Sequence, residues 1–269
     1  MSEENEMSFL DHLEVLRWHI IRSVVALGIF TIAAFFAKSF IFDEVVLRLS
    51  KSDFITYRLF CELSNLLGMG DKLCFGEIAF NLINLSMSGQ FMTHIMVSVI
   101  CGLVVAFPYI LFEIWRFVKP ALSSNEKSSA RGVVFSGSFL FTLGIAFGYY
   151  IIAPLSVQFL GNYRVSDLIQ NQIGLNSYIT TVATIVLACG LVFQLPLIVY
   201  FLTKMGILTP EFMRSYRKHA VVVTLILSAI ITPPDISSQI LVSIPILFLY
   251  EISIFISRIV VKRKQKADA

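Results

Sequence analysis

The chain has 269 residues, of which 57% are hydrophobic and 14% charged, and its mean hydropathy is +0.80. A soluble domain carries roughly 25% charged residues, so a water-solvated globular surface is excluded. The formal net charge of +3 falls largely in the gaps between apolar runs and calls for no nucleic acid.

Six apolar runs follow one another along the chain, approximately 20–42, 91–115, 132–155, 178–202, 219–232 and 236–256. The spacing predicts an all-α integral membrane protein, read as a single polytopic domain over 1–269 with an outer loop at 43–90. Ahead of the first run, residues 2–14 carry five acidic residues and no basic one, the reverse of a secretory leader, so cleavage is not expected. Ser8 reads as an N-cap, and Phe9, Leu13 and Leu16 share one face of an amphipathic helix that runs into the first span.

In the outer loop Tyr57, Phe60, Leu63 and Leu67 recur at helical spacing, and Gly68 and Gly70 stop the helix. Cys61 and Cys74 flank that stop on the side of the membrane where disulfides persist. Either they are bonded or they are two semi-buried thiols. Cys101 and Cys189 lie inside spans and read as small apolar filler.

The second run ends in Trp115-Arg116-Phe117-Val118-Lys119-Pro120 and leads to a tight inner loop, Ser124-Asn125-Glu126-Lys127. Glu113, near that end, is expected to pair with Arg116 or water, and Glu251 in the sixth run with Arg258. Gly137, Gly144 and Gly148 in the third run have the spacing of close helix contacts. In the fourth run Gln194 is the strongest polar group at mid-span, and Pro196 two residues later frees a carbonyl that it could satisfy. The fifth run, of some 14 residues, reaches only about 21 Å at about 1.5 Å per residue, against a hydrocarbon core of about 30 Å. It either folds back or spans a locally thinned bilayer. Pro233, Pro234 and Asp235 form the turn into the sixth helix, which Asp235 is placed to cap.

If all six runs cross, Lys and Arg divide 15 against 6 between the two sides, which puts both termini in the cytoplasm. No nucleotide loop, HExxH or CxxC is present. His12, His19, His94 and His219 lie near run ends, far apart, and read as interfacial side chains rather than metal ligands. No catalytic constellation, metal site or cofactor is expected.

Taken together, His12 to Arg17 (HLEVLR), Phe112 to Leu122, the NEK loop at 125–127, FGYY at 147–150 followed by Pro154, GLVFQLP at 190–196, TPPDISSQ at 232–239 and the closing Phe255-Ile256-Ser257-Arg258 resemble the TatC family. This is the multi-spanning core subunit of the twin-arginine protein translocase, and the resemblance covers essentially the whole chain. It implies a six-span, glove-shaped bundle with a concave face, short fifth and sixth helices, and residence in the inner membrane. It also implies binding of signal peptides with two consecutive arginines, single-span partners of the TatA and TatB types in an oligomeric complex, and export of folded proteins driven by the proton-motive force.

Arginine pairs are best met by carboxylates, onto which a guanidinium forks with two parallel hydrogen bonds. Glu126 matches the family's loop glutamate, and Glu14 is the second candidate. Family members often read HLEELR, whose second acidic position is Val15 here. Either Glu14 takes over from one helical position away, about 100° around the axis, or the second arginine is met differently. Arg17 matches a family position near the site, and Phe117 could floor it through cation and ring contact. Gln194 stands where the family often has glutamate and could bond a polar residue of a partner helix. The alternative from the residues alone is a secondary transporter of a small solute. It would show inverted repeats and a mid-membrane site, and neither a convincing repeat nor mid-span charge is present. A membrane-embedded enzyme would need a nucleophile or metal ligands on facing helices, a spacing the serines and histidines lack.

Overall fold

A computed structural model of the chain describes residues 9–51, 53–66, 68, 81–118, 130–166, 171–232 and 236–268. Nearly all of these are helical: α1 (Phe9–Phe36), α2 (Ile55–Leu66), α3 (Gly89–Val118), α4 (Ala130–Phe147), α5 (Ala153–Asn162), α6 (Leu175–Val192), α7 (Leu195–Lys204), α8 (Pro210–Ser215), α9 (Arg217–Ile231) and α10 (Ile236–Asp268). Short parallel strands β1 (Asn81–Ile83) and β2 (Gln172–Gly174) pair in register. Five stretches are long and apolar enough to cross a membrane: Leu13–Phe36, Gly89–Val118, Gly132–Asn162, Leu175–Lys204 and Gln239–Arg263. With 15 residues, α9 extends only about 22 Å.

The expectation of a short sixth helix is corrected. α10 has 33 residues and continues past the apolar run through Arg258, Lys262 and Arg263. Lys, Arg and Gln are good helix formers, and neither Gly nor Pro follows the apolar run to stop it.

By their contacts the residues form two compact units, Met1–Lys38 with His94–Phe139, and Ser39–Thr93 with Leu140–Ala269. In the first, α1 and α3 form an antiparallel pair, since their partners run in opposite order. His19 meets Glu113, Gly102 lies against Thr31, and His94 Nε2–H donates to the Phe35 carbonyl at 3.0 Å with the two rings stacked. A Cβ at Gly102 would lie 2.7 Å from the Thr31 backbone nitrogen, so only glycine permits this approach.

The second unit is tied by neutral hydroxyls. A π-helical turn (Phe40–Val46) and a 3₁₀ turn (Leu47–Ser50) follow α1, and such windings leave carbonyls outside the regular α ladder. Phenols donate to them: Tyr149 to Val45 at 2.8 Å, Tyr178 to Val46 at 2.9 Å, and Tyr57 to Leu49 at 3.0 Å. Tyr57 also reaches the Pro154 carbonyl at 3.2 Å. The amphipathic α2 thus buries Tyr57 as its pattern predicts, together with Phe54 and Thr56. Beyond α2, Gly68 takes a φ of 68°, the left-handed conformation that glycine adopts without strain.

Deeper in this unit, Cβ atoms at Gly144 and Gly148 would meet the Cys189 carbonyl at 2.7 Å and the Val186 Cα at 3.0 Å. Close packing of α4 and of the π-helical turn that follows it (Gly148–Ile152) against α6 is therefore the reason for those glycines. α6 and α7 are separated by a break at Phe193–Gln194. Pro196, within the first turn of α7, has no N–H to continue α6, and Leu197 N and Ile198 N bond the Gln194 carbonyl instead. α7 packs on α10 through Thr203 Oγ1 donating to Ser257 Oγ at 2.9 Å and through Val199 and Ile254, which cluster with Met213 of α8. α9 meets α10 through a Ser228–Ser243 hydroxyl pair at 2.8 Å. α9 ends at Thr232, which is extended with a ψ of 151°, as a residue before proline prefers.

Candidate functional site

Of the residues expected to receive a ligand, Glu14 and Arg17 lie in the early turns of α1, three apart and both exposed. Glu14 makes no hydrogen bond or ion pair among the described residues, so its carboxylate is open to an incoming cation. Phe117 is half-buried near the C-terminus of α3. These three belong to the same compact unit. Glu126 lies outside the described residues, as do Ser8, Cys74, Pro233, Pro234 and Asp235.

What joins these ends of α1 and α3 is a pair the sequence reading did not connect. His19 Nδ1–H donates to Glu113 Oε2, with the His19 residue 9% and the Glu113 residue 2% exposed. The expected Glu113–Arg116 pair is thereby corrected. Glu113 points across to α1, and Arg116 stays exposed. His19 is likewise buried rather than interfacial. Tyr109, Glu113 and Phe117 are spaced four apart, so they form one stripe on α3. Tyr109 lies beside the same carboxylate, and the Phe117 ring stands edge-on to the imidazole at 6.1 Å. Arg22, three residues beyond His19, is close enough for its charge to act on Glu113. Four-residue spacing of Tyr109, Glu113 and Phe117 was the available sequence signal, but it says nothing about which helix the stripe would face.

The second carboxylate pair is also corrected. Glu251 accepts from Arg217 at 2.7 Å, each side chain about half exposed at 51%. Arg258, two turns further along α10, lies roughly 10 Å away in axial rise. Gln194 is buried at the α6–α7 break, with 7% of its surface exposed. Cys61 is disulfide-bonded, whereas Cys101 and Cys189 are free thiols. Among the described residues no group of His, Cys, Asp and Glu has the arrangement of a metal site.

Comparison with known proteins agrees with these features. The family profile described as Sec-independent protein translocase protein (TatC) matches residues 11–245. A TatC protein of Blattabacterium sp. subsp. Periplaneta americana is 40% identical over 264 residues, 98% of this chain and 99% of that one. One from Aquifex aeolicus is 33% identical over 97% of this chain and 98% of its own length. A crystal structure titled as the twin arginine translocase receptor TatC superposes with a TM-score of 0.72 at 33% identity, covering 93% of this chain and 99% of that one. A sequence match of this extent, and a solved structure sharing the arrangement of helices, make this chain a multi-pass membrane protein of the TatC family of Sec-independent protein translocase proteins.

Proposed function

We propose that the chain is the receptor for twin-arginine signal peptides, with the ends of α1 and α3 and the loop between α3 and α4 on the cytoplasmic side of the inner membrane. The observation that carries this reading is Glu14, an exposed carboxylate without a partner among the described residues, one turn from Arg17 and in the same unit as Phe117. A guanidinium that reaches such a carboxylate at a partly desolvated surface gains a charge-assisted, forked hydrogen bond that an ammonium cannot match. Glu126 supplies the second carboxylate. Both termini are cytoplasmic, by the excess of Lys and Arg on that side. α9 completes six spans as the short crossing, over a locally thinned bilayer.

Single-span partners of the TatA and TatB types assemble with the chain beside the α6–α7 break where Gln194 lies. Folded precursors are exported with the proton-motive force as the energy source. On the outer side Cys61 pairs with Cys74, since the two remaining cysteines are free thiols. Charge reversal tests the site. Glu126→Lys and Glu14→Lys each weaken binding of a twin-arginine peptide, Glu126→Lys by about 2 kcal/mol, about thirtyfold, and Glu14→Lys by less. Binding unchanged in both folded variants removes the proposed site.

A further inference from the structure

We infer that His19 and Glu113 are a positioning pair, which fixes the register of α1 on α3 and so sets where Glu14 and Arg17 stand relative to Phe117. This rests on the signal-peptide reading above.

Three observations converge on it. First, the N-terminal half of α1 has little else to locate it: from Leu13 to Phe30 only His19 is buried, and the Gly102–Thr31 approach and the His94–Phe35 bond lie at the other end of the helix. Apolar contact is non-directional, so an aliphatic pair here would tolerate rotation or sliding. Second, an imidazole donating to a carboxylate accepts one geometry. A one-residue slip turns α1 by about 100° and carries His19 off Glu113. Third, Tyr109 lies beside the carboxylate on its own helix, and the Phe117 ring of that helix stands edge-on to the imidazole. The same stripe of α3 thus meets the imidazole at two points, the Glu113 carboxylate and the Phe117 ring. Glu14 lies five residues from His19, about 7.5 Å along the same rigid helix. Any change of register is passed directly to the proposed peptide site. Neither group of the pair is exposed enough to meet the peptide itself, which separates this role from that of Glu14.

The test uses the full chain in lipid nanodiscs, with binding of synthetic twin-arginine and twin-lysine signal peptides measured side by side. Spin labels at Leu13 and Arg116, attached through encoded non-cysteine handles, report the spacing of the two helix ends without any peptide. In His19→Ala the arginine-over-lysine preference is expected to fall about tenfold, within the roughly hundredfold that a displacement of about 1 Å can cost at a positioned site. The interspin distribution is expected to broaden in the same variant. Exchange of the partners, His19→Glu with Glu113→His, restores both readouts to within about twofold of the parent.

A preference and a distance distribution unchanged in His19→Ala overturn the inference. So does an exchange variant that folds but recovers neither readout. Where His19→Ala does not accumulate in membranes, the exchange variant decides alone. If the parent chain itself shows no arginine preference, the receptor reading fails. The interspin distances still decide whether the pair sets the register.

Discussion

α1 and the α6–α7 stretch are both apolar enough to cross a membrane, yet they are held in opposite ways. Within Leu13–Phe36 only 6% of the most apolar window is buried inside the protein, against 56% within Leu175–Lys204. The first helix buries little of its surface inside the protein and is located by a few specific ties, a buried His–Glu bond, a Thr31–Gly102 approach and a Phe35–His94 stack. α6 and α7 are instead set by packing and by neutral hydroxyl bonds. A lipid-facing helix gains nothing from the hydrophobic effect by choosing one orientation over another, because acyl chains are as apolar as its neighbours. Directional polar groups must then supply the register. A buried helix has many neighbours to fix it, and glycines placed for close approach are enough.

The largest effect should separate two glycines. At Gly144 an added methyl meets the Cys189 carbonyl, the Phe193 Cβ and the Gly190 Cα, all within 2.9 Å, and two of these are backbone. At Gly28 in α1 it meets nothing within 4 Å. Gly144→Ala is therefore expected to lose about 2 kcal/mol through overpacking. Gly28→Ala should be neutral, or stabilising by up to about 1 kcal/mol through helix propensity. Thermal unfolding of both variants in the same detergent measures the difference. Similar midpoints would mean that the two helices are not held differently.

A smaller effect is expected at Tyr57, whose hydroxyl serves the Leu49 and Pro154 carbonyls at once. Tyr57→Phe leaves two acceptors without that donor and should lose about 1 to 2 kcal/mol. Burial pushes the Tyr57 phenol above its ordinary 10.0, so the folded state holds the proton more tightly than the unfolded chain does. The stability this adds is complete below pH 10 and falls as the pH rises beyond it. Unfolding midpoints measured between pH 8 and about 11 should show a smaller alkaline loss in the Phe variant than in the parent.

Much of this was legible in the chain because lipid imposes length and composition on any span. The first four long spans, the amphipathic α2 and the close-packed Gly144 and Gly148 follow from run length, period and small-residue spacing. Glu14 and Arg17 were named from the family resemblance of HLEVLR, and the structure shows both exposed in the early turns of α1. The partners of Glu113 and Glu251 were not legible. Each carboxylate had an arginine nearby in its own helix, but the structure pairs each with a group on another helix, and one sequence does not encode which faces meet. The length of α10 was misread for a different reason. Apolar character ends where the membrane ends, while the helix ends only where a breaker or an unfavourable residue stops it.

The smallest expected effect tests whether burial is what distinguishes the two carboxylate pairs. Glu113 is 2% exposed and bonded to an imidazole across the helices. Glu251 and Arg217 have the stronger formal charges at 2.7 Å, but each side chain is 51% exposed. Exposed pairs contribute roughly 0 to 1 kcal/mol, because water screens the attraction and two long side chains must be ordered. Arg217→Ala should therefore change stability by about 0.5 kcal/mol, and the change should vanish in 1 M salt, where the screening length is about 3 Å. A loss of about 2 kcal/mol that persists in salt would mean that lipid headgroups shield this pair from water. The surface around Arg217 would then be membrane-covered, and the contrast between a buried positioning pair and an open surface pair would fail at its second half.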